Sequence, residues 1–178
     1  MNNKILIAYF SRAGNNYAKG GVVDLPIGNT EVVAKTIAQL TGGDLFKIES
    51  VKKYPDDYNS CTEEARKELR ENARPELVTY LDDFNEFGTI ILGYPNWWST
   101  MPMPVFTFLE ACDFSDKTIL PFCTHEGSGL GDSVRNIAKL CPKAKIMNGL
   151  AIHGSHVNNA HEDVAEWLQK ADLLAKNR

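Results

Sequence analysis

Residues 4–10 read KILIAYF, a nearly continuous run of apolar side chains. Such a run is typical of a strand that is buried on both faces, as in a parallel sheet covered by helices. Thr89–Tyr94 (TIILGY) and Thr118–Cys123 (TILPFC) repeat the pattern, although Pro121 predicts a local irregularity. Two weaker strands are predicted: Asp44–Glu49, which alternates like an edge strand, and Lys145–His153, which we expect to break near Asn148-Gly149.

A helical pattern follows each of these strands. From Asn29 the apolar residues recur with a period of about 3.6, until Gly42-Gly43 ends the helix. Four further helices are predicted over Cys61–Asn72, Pro102–Ala111, residues 132–140 and Glu162–Ala175. Alternating buried strands and amphipathic helices indicate an α/β fold in three layers. We expect a doubly wound five-stranded parallel sheet within a single domain of residues 1–178.

The composition excludes several classes of protein. With 19 Lys and Arg against 23 Asp and Glu, the formal net charge is −4, so the chain lacks the basic surface that nucleic-acid binding requires. The hydrophobic fraction of 43% and the charged fraction of 24% argue against disorder. Four widely spaced cysteines, none in a Cys-x-x-Cys pair, predict reduced thiols and a cytoplasmic protein.

The 23 residues from Phe87 to Leu109 carry no charge, and a helix of that length would cross a membrane. Pro95, Pro102 and Pro104 interrupt the segment, and so broken a helix would expose unsatisfied backbone groups to lipid. We therefore expect no membrane span, and we expect the missing charge to reflect burial or a bound ligand.

Three loops follow predicted strands, and ligands of open parallel sheets bind at these carboxyl ends. Loop 1 (residues 11–30) consists of a small-residue segment, a long excursion, and Gly28-Asn29-Thr30 at a helix start. Backbone N–H groups at a helix N-terminus, aided by the helix dipole, predict a phosphate site. A simple capping role for Asn29 or Thr30 explains part of the same pattern.

Loop 2 (residues 95–101) and loop 3 (residues 124–131) differ from loop 1 in character. Loop 2 places Asn96 beside Trp97 and Trp98 without any charge, which suits a flat aromatic ligand. The plainer interpretation puts one tryptophan in the core and the other over a helix. Loop 3 has alternate glycines, whose backbone can approach a ligand closely. Three such loops on one edge indicate a binding site more strongly than any one of them.

The segments KILIAYFSRAGN, GNTEVVA, TGGDLFKIE, ILGYPNWW and FCTHEGSGLG together resemble the flavodoxin family, in a variant with a Trp-Trp second loop. The resemblance implies an FMN-binding sheet of strand order 2-1-3-4-5. It also implies that loop 1 holds the phosphate, loop 2 the inner face of the isoalloxazine and loop 3 its pyrimidine edge. The candidate cofactor-binding residues are Ser11, Arg12, Ala13, Gly14, Asn15, Asn29, Thr30, Pro95, Asn96, Trp97, Trp98, Ser99, Thr124, His125, Glu126, Gly127, Ser128, Gly129 and Gly131.

Two departures from the family pattern leave questions open. The insert Asn16–Ile27 splits the phosphate signature, so that either Asn15 or Asn29 serves the phosphate. Loop 3 also lacks the tyrosine that commonly covers the outer flavin face in flavodoxins. Either His125 covers the outer flavin face instead, or that face is left uncovered.

The resemblance implies an electron carrier whose partner is a redox protein or a small-molecule acceptor. The alternative is an NAD(P)H-dependent FMN oxidoreductase that reduces quinones or similar acceptors, because an uncovered flavin leaves room for a second ring. His125 is then a candidate proton donor. A non-redox binding domain is the third hypothesis. A charge of −4 is weak for a family that uses an acidic rim to steer partners. No metal is predicted, since His153, His156 and His161 lack ligand spacing.

Overall fold

A parallel sheet runs through the centre of the computed structural model, which describes residues 4–175. Its strands are β1 (Lys4–Tyr9), β4 (Asp44–Lys47), β5 (Phe87–Pro95), β6 (Thr118–His125), β7 (Lys145–Ile146) and β8 (Leu150–His153). A separate antiparallel hairpin contains β2 (Gly14–Ala18) and β3 (Gly21–Leu25). The helices are α1 (Asn29–Thr41), α2 (Tyr58–Arg70), α3 (Met103–Ala111), α4 (Ser133–Leu140) and α5 (His161–Lys170). Two 3₁₀ turns span Phe84–Glu86 and Gly154–Asn159.

The order of the strands confirms the predicted doubly wound topology. The sheet runs β4-β1-β5-β6, and both β7 and β8 pair with β6. Every one of these pairings is parallel. Since β7 and β8 are two halves of one interrupted strand position, the five positions have the order 2-1-3-4-5.

Pro121 causes the interruption of the last strand position. The Ile119 carbonyl accepts the Met147 N–H at 2.9 Å, so Ile119 faces β7. Pro121 lies two residues later and faces the same neighbour, but it has no N–H to offer. Its ring contacts the position of Gly149, between the two short strands. The predicted irregularity and the predicted break near Asn148-Gly149 therefore have one cause.

Both faces of the sheet are covered, which accounts for the continuous apolar runs. Along β1, Leu6 and Ala8 pack in the core beneath α3 and α4, whereas Ile7 and Tyr9 pack in the core beneath α1 and α5. The uncharged segment from residue 87 to residue 109 consists of central strand β5, loop 2 and the buried face of α3. Burial thus accounts for the missing charge of β5 and α3, as expected, while the missing charge of loop 2 is not explained by burial.

The excursion in loop 1 is a β-hairpin, which was not predicted from the sequence. β2 and β3 are joined by a two-residue turn in which Lys19 and Gly20 both have positive φ, 55° and 81°. This geometry is typical of hairpin turns with glycine in the second position. The Lys19-Gly20 pair between two short segments was the available signal. It was obscured because the strands are short and are mostly exposed or half-buried.

Two helices end earlier than predicted because they close with left-handed residues. Asn72 after α2 and Asp172 after α5 have φ of 50° and 57°. In each case the following N–H reaches back five residues, Ala73 to Glu68 and Leu173 to Leu168, as in a Schellman motif. Helix α2 also begins earlier than predicted, since the Asp57 carboxylate accepts the Ser60 N–H and caps it.

Gly93 in the middle of β5 provides a test of the packing between sheet and helices. A Cβ atom at this position would overlap the ring of Phe122, which is buried on the neighbouring strand. We expect Gly93→Ala to lower the free energy of unfolding by about 1–3 kcal/mol through overpacking. Urea denaturation monitored by circular dichroism measures this loss.

Gly21→Ala is the matched control for Gly93→Ala. Gly21 also lies in a strand, but a Cβ atom there would have no neighbouring atom within 4 Å. We expect this change to stay within about 0.5 kcal/mol of the parent protein. Equal effects of the two substitutions would contradict the packing argument.

Candidate functional site

One cavity of about 510 Å³ lies at the carboxyl ends of β1, β5 and β6. Residues of all three predicted loops line it. The candidate residues that it brings together are Ser11, Arg12, Asn29, Thr30, Pro95, Asn96, Trp97, Trp98, Ser99, Thr124, His125, Glu126 and Ser128. The remaining candidates, Ala13, Gly14, Asn15, Gly127, Gly129 and Gly131, lie outside this lining.

The two halves of loop 1 are adjacent in space despite the hairpin between them. Gly28 packs so closely on Ser11 and Arg12 that a Cβ atom there would overlap the Ser11 hydroxyl and lie 2.6 Å from the Arg12 carbonyl oxygen. The Ser11 Oγ accepts the Glu31 N–H at 3.0 Å, in the first turn of α1. The insert therefore leaves the phosphate-type loop assembled.

The N-terminus of α1 opens into the cavity with donors available for an anion. The N-cap residue, Gly28, makes no side-chain capping hydrogen bond. The N–H groups of the first helical residues, Asn29 and Thr30, have no partner within the helix. The Thr30 hydroxyl is buried and bonds to the Thr124 hydroxyl at 2.7 Å, which ties α1 to loop 3. This arrangement suits a phosphate group.

Asn29 rather than Asn15 borders the cavity. The Asn15 side-chain oxygen accepts the Tyr58 N–H at the start of α2. Arg12 donates to the carbonyl oxygens of Asn15, Pro55 and Asp56. Asn15 and Arg12 thereby fasten the hairpin to α2 and its preceding loop. Of the two asparagines left open by the sequence, only Asn29 is placed to contact a ligand in this cavity.

Loop 2 contains a strained tight turn that presents its two tryptophans differently. Trp97 and Thr100 bond reciprocally through their backbones, and Trp98 and Ser99 between them have φ of 52° and 66°. For residues other than glycine this conformation costs on the order of 1–2 kcal/mol each. Strain of this kind is commonly found at functional sites.

Each tryptophan has a structural partner as well as a cavity face. Trp97 packs edge-on against Phe10 and Tyr54, at ring-centroid distances of 5.2 and 5.1 Å. Trp98 lies over α2, where its indole N–H donates to the Thr62 carbonyl at 2.9 Å and Arg66 stacks on its ring. Trp98 is nevertheless 47% exposed. Trp97 is thus partly buried against the core and Trp98 lies over a helix, much as the plainer interpretation describes, and both residues also line the cavity.

Asn96 joins loop 2 to loop 3. Its amide donates to the Gly129 carbonyl at 2.8 Å, and its side-chain oxygen accepts the Ser99 N–H at 3.0 Å. The Ser99 carbonyl in turn accepts the Asp132 N–H at 2.7 Å. Gly131, with φ of 52°, packs so tightly on that carbonyl that a side chain would overlap it. These two glycines shape the loop rather than line the cavity.

Loop 3 presents a histidine and a carboxylate. His125 Nδ1 accepts the Gly127 N–H at 2.9 Å, so the neutral ring carries its proton on Nε2. Burial, and then the neighbouring His153, lower the pKa of His125. The Glu126 Oε2 atom lies 3.8 Å from His153 Nε2. The ring of His153 meets that of His125 edge-on at 5.6 Å.

Seven cavity residues were not predicted from the sequence: Asn16, Tyr17 and Leu25 from the hairpin, and Tyr58, Cys61, Thr62 and Ala65 from α2. The hairpin residues belong to the insert, and the α2 residues belong to a charge-rich helix without a motif. The rings of Tyr17 and Tyr58 lie 6.1 Å apart, where the hairpin meets the start of α2. The aromatic Tyr17 within the insert was a signal that the sequence offered.

Other chemistry near the cavity is limited. Burial raises the pKa of Cys123 to about 12, in keeping with a packing role. Within residues 4–175 no group of three or more His, Cys, Asp or Glu side chains is placed to hold a metal ion. None of the helices described in that range combines the length and apolar character that crossing a membrane requires.

The fold and the three loops around its cavity are those of a flavodoxin-like α/β protein. Residues 4–171 match the flavodoxin family model, and the chain belongs to the flavodoxin family. No curated protein matches the sequence.

Solved structures of flavoproteins are similar to this chain over most of its length. A "putative flavoprotein" from Bacteroides eggerthii DSM 20697 is 26% identical, with a TM-score of 0.76, 99% of this chain covered and 100% of that one. A second, from Bacteroides uniformis ATCC 8492, is 27% identical, with a TM-score of 0.75 and coverage of 95% and 99%. A flavoprotein in complex with FMN from Lactobacillus acidophilus NCFM shares 20% identity, with a TM-score of 0.66 and coverage of 88% and 97%. Because the Lactobacillus acidophilus protein is only 20% identical to this chain, its similarity shows a shared fold and nothing more.

Gly28→Ala tests whether the close approach of the two halves of loop 1 is required. A methyl group at Gly28 overlaps the Ser11 hydroxyl and crowds the Arg12 carbonyl, so the start of α1 must move away. We expect the free energy of unfolding to fall by about 1–3 kcal/mol. Differential scanning calorimetry measures the change, and Ser11→Ala is the companion variant.

Ser11→Ala removes only the hydroxyl that accepts the Glu31 N–H. Loss of a helix cap of this type costs about 1 kcal/mol. We therefore expect a smaller loss than for Gly28→Ala. A Gly28→Ala protein as stable as the parent would show that the two halves of loop 1 are not in close contact.

Proposed function

We propose that this chain binds FMN and uses it in electron transfer. The observation that carries the proposal is that the first residues of α1, whose N–H groups have no partner within the helix, and a pair of tryptophans line the same cavity of about 510 Å³. A phosphate and a flat aromatic ring, joined in one molecule, match these two features. Membership of the flavodoxin family, and the FMN complex of a structurally similar flavoprotein, support the same ligand.

The chemistry of the donors around α1 fits a phosphate monoester. The N–H groups of Asn29 and Thr30 and the hydroxyl of Ser11 would hold it. The guanidinium of Arg12 is engaged by three backbone carbonyls, so its charge adds to the local field rather than forming a dedicated clamp. Backbone donors and the helix dipole are sufficient for an anion of this size.

Trp97 and Trp98 would orient the isoalloxazine ring, and Asn96 would keep loop 3 against it. When bound, FMN supplies one- and two-electron redox chemistry, and the protein contributes orientation and electrostatics. His125 remains neutral near pH 7 because its pKa is lowered, and its Nε2–H is a donor at the rim of the cavity. The chain therefore offers a proton donor at this edge without adding a positive charge.

An NAD(P)H-dependent FMN oxidoreductase that reduces quinones is the second candidate. It is favoured by the wall that the hairpin within loop 1 adds to the cavity, where Tyr17 and Leu25 line the same volume as Tyr58 of α2 and the rings of Tyr17 and Tyr58 lie 6.1 Å apart. An aromatic wall of this kind suits a second planar ring, such as a nicotinamide or a quinone.

The electron carrier remains the primary proposal, with a redox protein or small-molecule acceptor as its partner. The four free cysteines support a cytoplasmic location as part of it.

Binding of FMN and riboflavin to the apoprotein tests the proposed cofactor. Riboflavin has the same ring without the phosphate, so the affinity ratio isolates the contribution of α1 and Ser11. Two charge-assisted hydrogen bonds correspond to a preference for FMN of roughly a hundredfold or more. Fluorescence quenching of the flavin measures both affinities. Equal affinity for the two flavins would contradict the phosphate site.

Ser11→Ala and Ser60→Ala form a matched pair for this measurement. Ser60 also bonds at a helix start, but to Asp57 in α2 and outside the cavity lining. We expect Ser11→Ala to lower the affinity for FMN by roughly tenfold and to leave the affinity for riboflavin unchanged. Ser60→Ala should leave both affinities unchanged.

Steady-state turnover with NADH and a quinone separates the two candidate functions. For an electron carrier we expect a rate no greater than that of free FMN at the same concentration, together with two resolved one-electron potentials in a spectroelectrochemical titration. Turnover far above free FMN, reduced by Tyr17→Ala, would instead establish the oxidoreductase.

A further inference from the structure

The carboxylate of Glu126 lies against the start of α1. A Cβ atom at Gly154 would overlap Glu126 Oε1 and would lie 2.7 Å from Asn29 Nδ2, so these two side chains border the same small volume. The Oε1 atom is buried and has no hydrogen-bond partner among the residues described. A buried carboxylate oxygen without a donor is costly, and each such atom calls for an explanation.

His153 is the cation-forming group that faces this carboxylate. Its Nδ1 atom accepts the Ser155 N–H at 3.2 Å and lies 2.8 Å from the Ser155 hydroxyl. The neutral ring therefore carries its proton on Nε2, which points toward Glu126 Oε2 at 3.8 Å. The side chain of His153 is 44% exposed, so Nδ1 is within reach of solvent; a proton on Nδ1 would replace the bond from the Ser155 N–H by one that Nδ1 donates to the Ser155 hydroxyl.

A phosphate at the α1 N-terminus would place two anions in one neighbourhood. A phosphate monoester carries a charge of about −1.5 to −2 at pH 7, whereas the helix terminus offers only about +0.5. Glu126 adds a further negative charge beside Asn29. Histidine is the side chain that changes charge most readily near neutral pH.

We propose that His153, which lies outside all three loops, is a positioning residue for the phosphorylated ligand: it takes up one proton from solvent when the ligand binds and thereby offsets Glu126. This inference rests on the proposed function, since it assumes a phosphate at the N-terminus of α1. The proposal gives a reason for the buried Oε1 atom without a partner. Glu126 has a positively charged neighbour only when the ligand is bound, so its negative charge is balanced only in that state.

The other titratable groups around the pair do not account for such a proton. Burial raises the pKa of Tyr58 and that of Cys61, both on α2, so both remain protonated near neutral pH. His125 on loop 3 is disfavoured as the group that takes up the proton, because burial and the neighbouring His153 lower its pKa. Arg12 keeps its charge throughout. A positive His153 would disfavour a charge on His125 further.

His156 provides a matched control in the short 3₁₀ turn that follows His153. Its Nε2 atom pairs with Asp163 at 3.3 Å, so it is also a histidine beside a carboxylate. It is exposed and does not line the cavity. A change that affects His153 and His156 equally is therefore unrelated to the ligand.

Isothermal titration calorimetry of FMN into the full-length apoprotein tests the proposal. At pH 7.5 the phosphate of FMN is already mostly dianionic. Titrations in buffers of different ionisation enthalpy count the protons taken up. We expect uptake of roughly half a proton or more per FMN. We also expect the Kd for FMN to rise several-fold per pH unit between pH 7 and 8.5, with a limit of tenfold for one proton. Riboflavin should show neither effect.

Single substitutions of His153, His156 and Glu126 test which side chain takes up the proton. In His153→Gln we expect proton uptake to fall to near zero and FMN to bind several-fold more weakly at pH 7, whereas His156→Gln should match the parent protein. Glu126→Gln removes the negative charge beside the phosphate. We therefore expect the Kd of this variant for FMN to be independent of pH and to be lower than that of the parent protein at pH 8.5. Circular dichroism establishes that each variant is folded.

The possible failures are distinguishable. Absence of FMN binding to the parent protein at every pH overturns the proposed cofactor and this inference with it. Tight FMN binding without proton uptake, or with the same uptake in His153→Gln, overturns only the role of His153.

Discussion

The close approach of Gly28 to Ser11 and Arg12 is the contact on which the site depends. β1 and α1 are separated in sequence by a hairpin, and only a residue without a side chain lets the end of the strand meet the start of the helix. Once they meet, Ser11 caps the first turn of α1, and Asn29 and Thr30 at the start of that helix line the cavity. Thr30 then reaches Thr124 and fixes loop 3 relative to loop 1. The insertion is tolerated because it leaves this junction in place, while the hairpin itself folds beside the junction and adds a wall to the cavity.

Close contacts through small residues also shape the other two loops. Gly131 lets the Ser99 carbonyl approach the start of α4, and Asn96 bonds to both loops. These contacts hold Trp98 and Ser99 in left-handed conformations that they would otherwise avoid. Trp97 is held from behind by Phe10 and Tyr54. The aromatic walls are therefore set before any ligand arrives, which reduces the ordering cost of binding.

The sequence predicts the sheet well because its signals are local and redundant. KILIAYF and TIILGY are typical of strands buried on both faces, and the strand order follows from the family resemblance. The hairpin escaped prediction since its strands bury little apolar surface and only Lys19-Gly20 marks the turn. The choice of Asn29 over Asn15 depends on a bond to Tyr58, which lies 43 residues further along the chain. The contribution of Tyr17, Tyr58 and His153 arises likewise from tertiary contacts, which carry no motif.

Amide chemical shifts of the isotopically labelled apoprotein test the central claim most directly, namely that the split phosphate loop is reassembled around α1. On addition of FMN, the account predicts the largest shift changes at the backbone N–H groups of Asn29, Thr30 and Glu31. Riboflavin should shift the indole signals of Trp97 and Trp98 but leave those three amides nearly unchanged. Changes at the three amides that are equally large with both flavins, or phosphate-dependent changes confined to residues 14–25 of the hairpin, would contradict it.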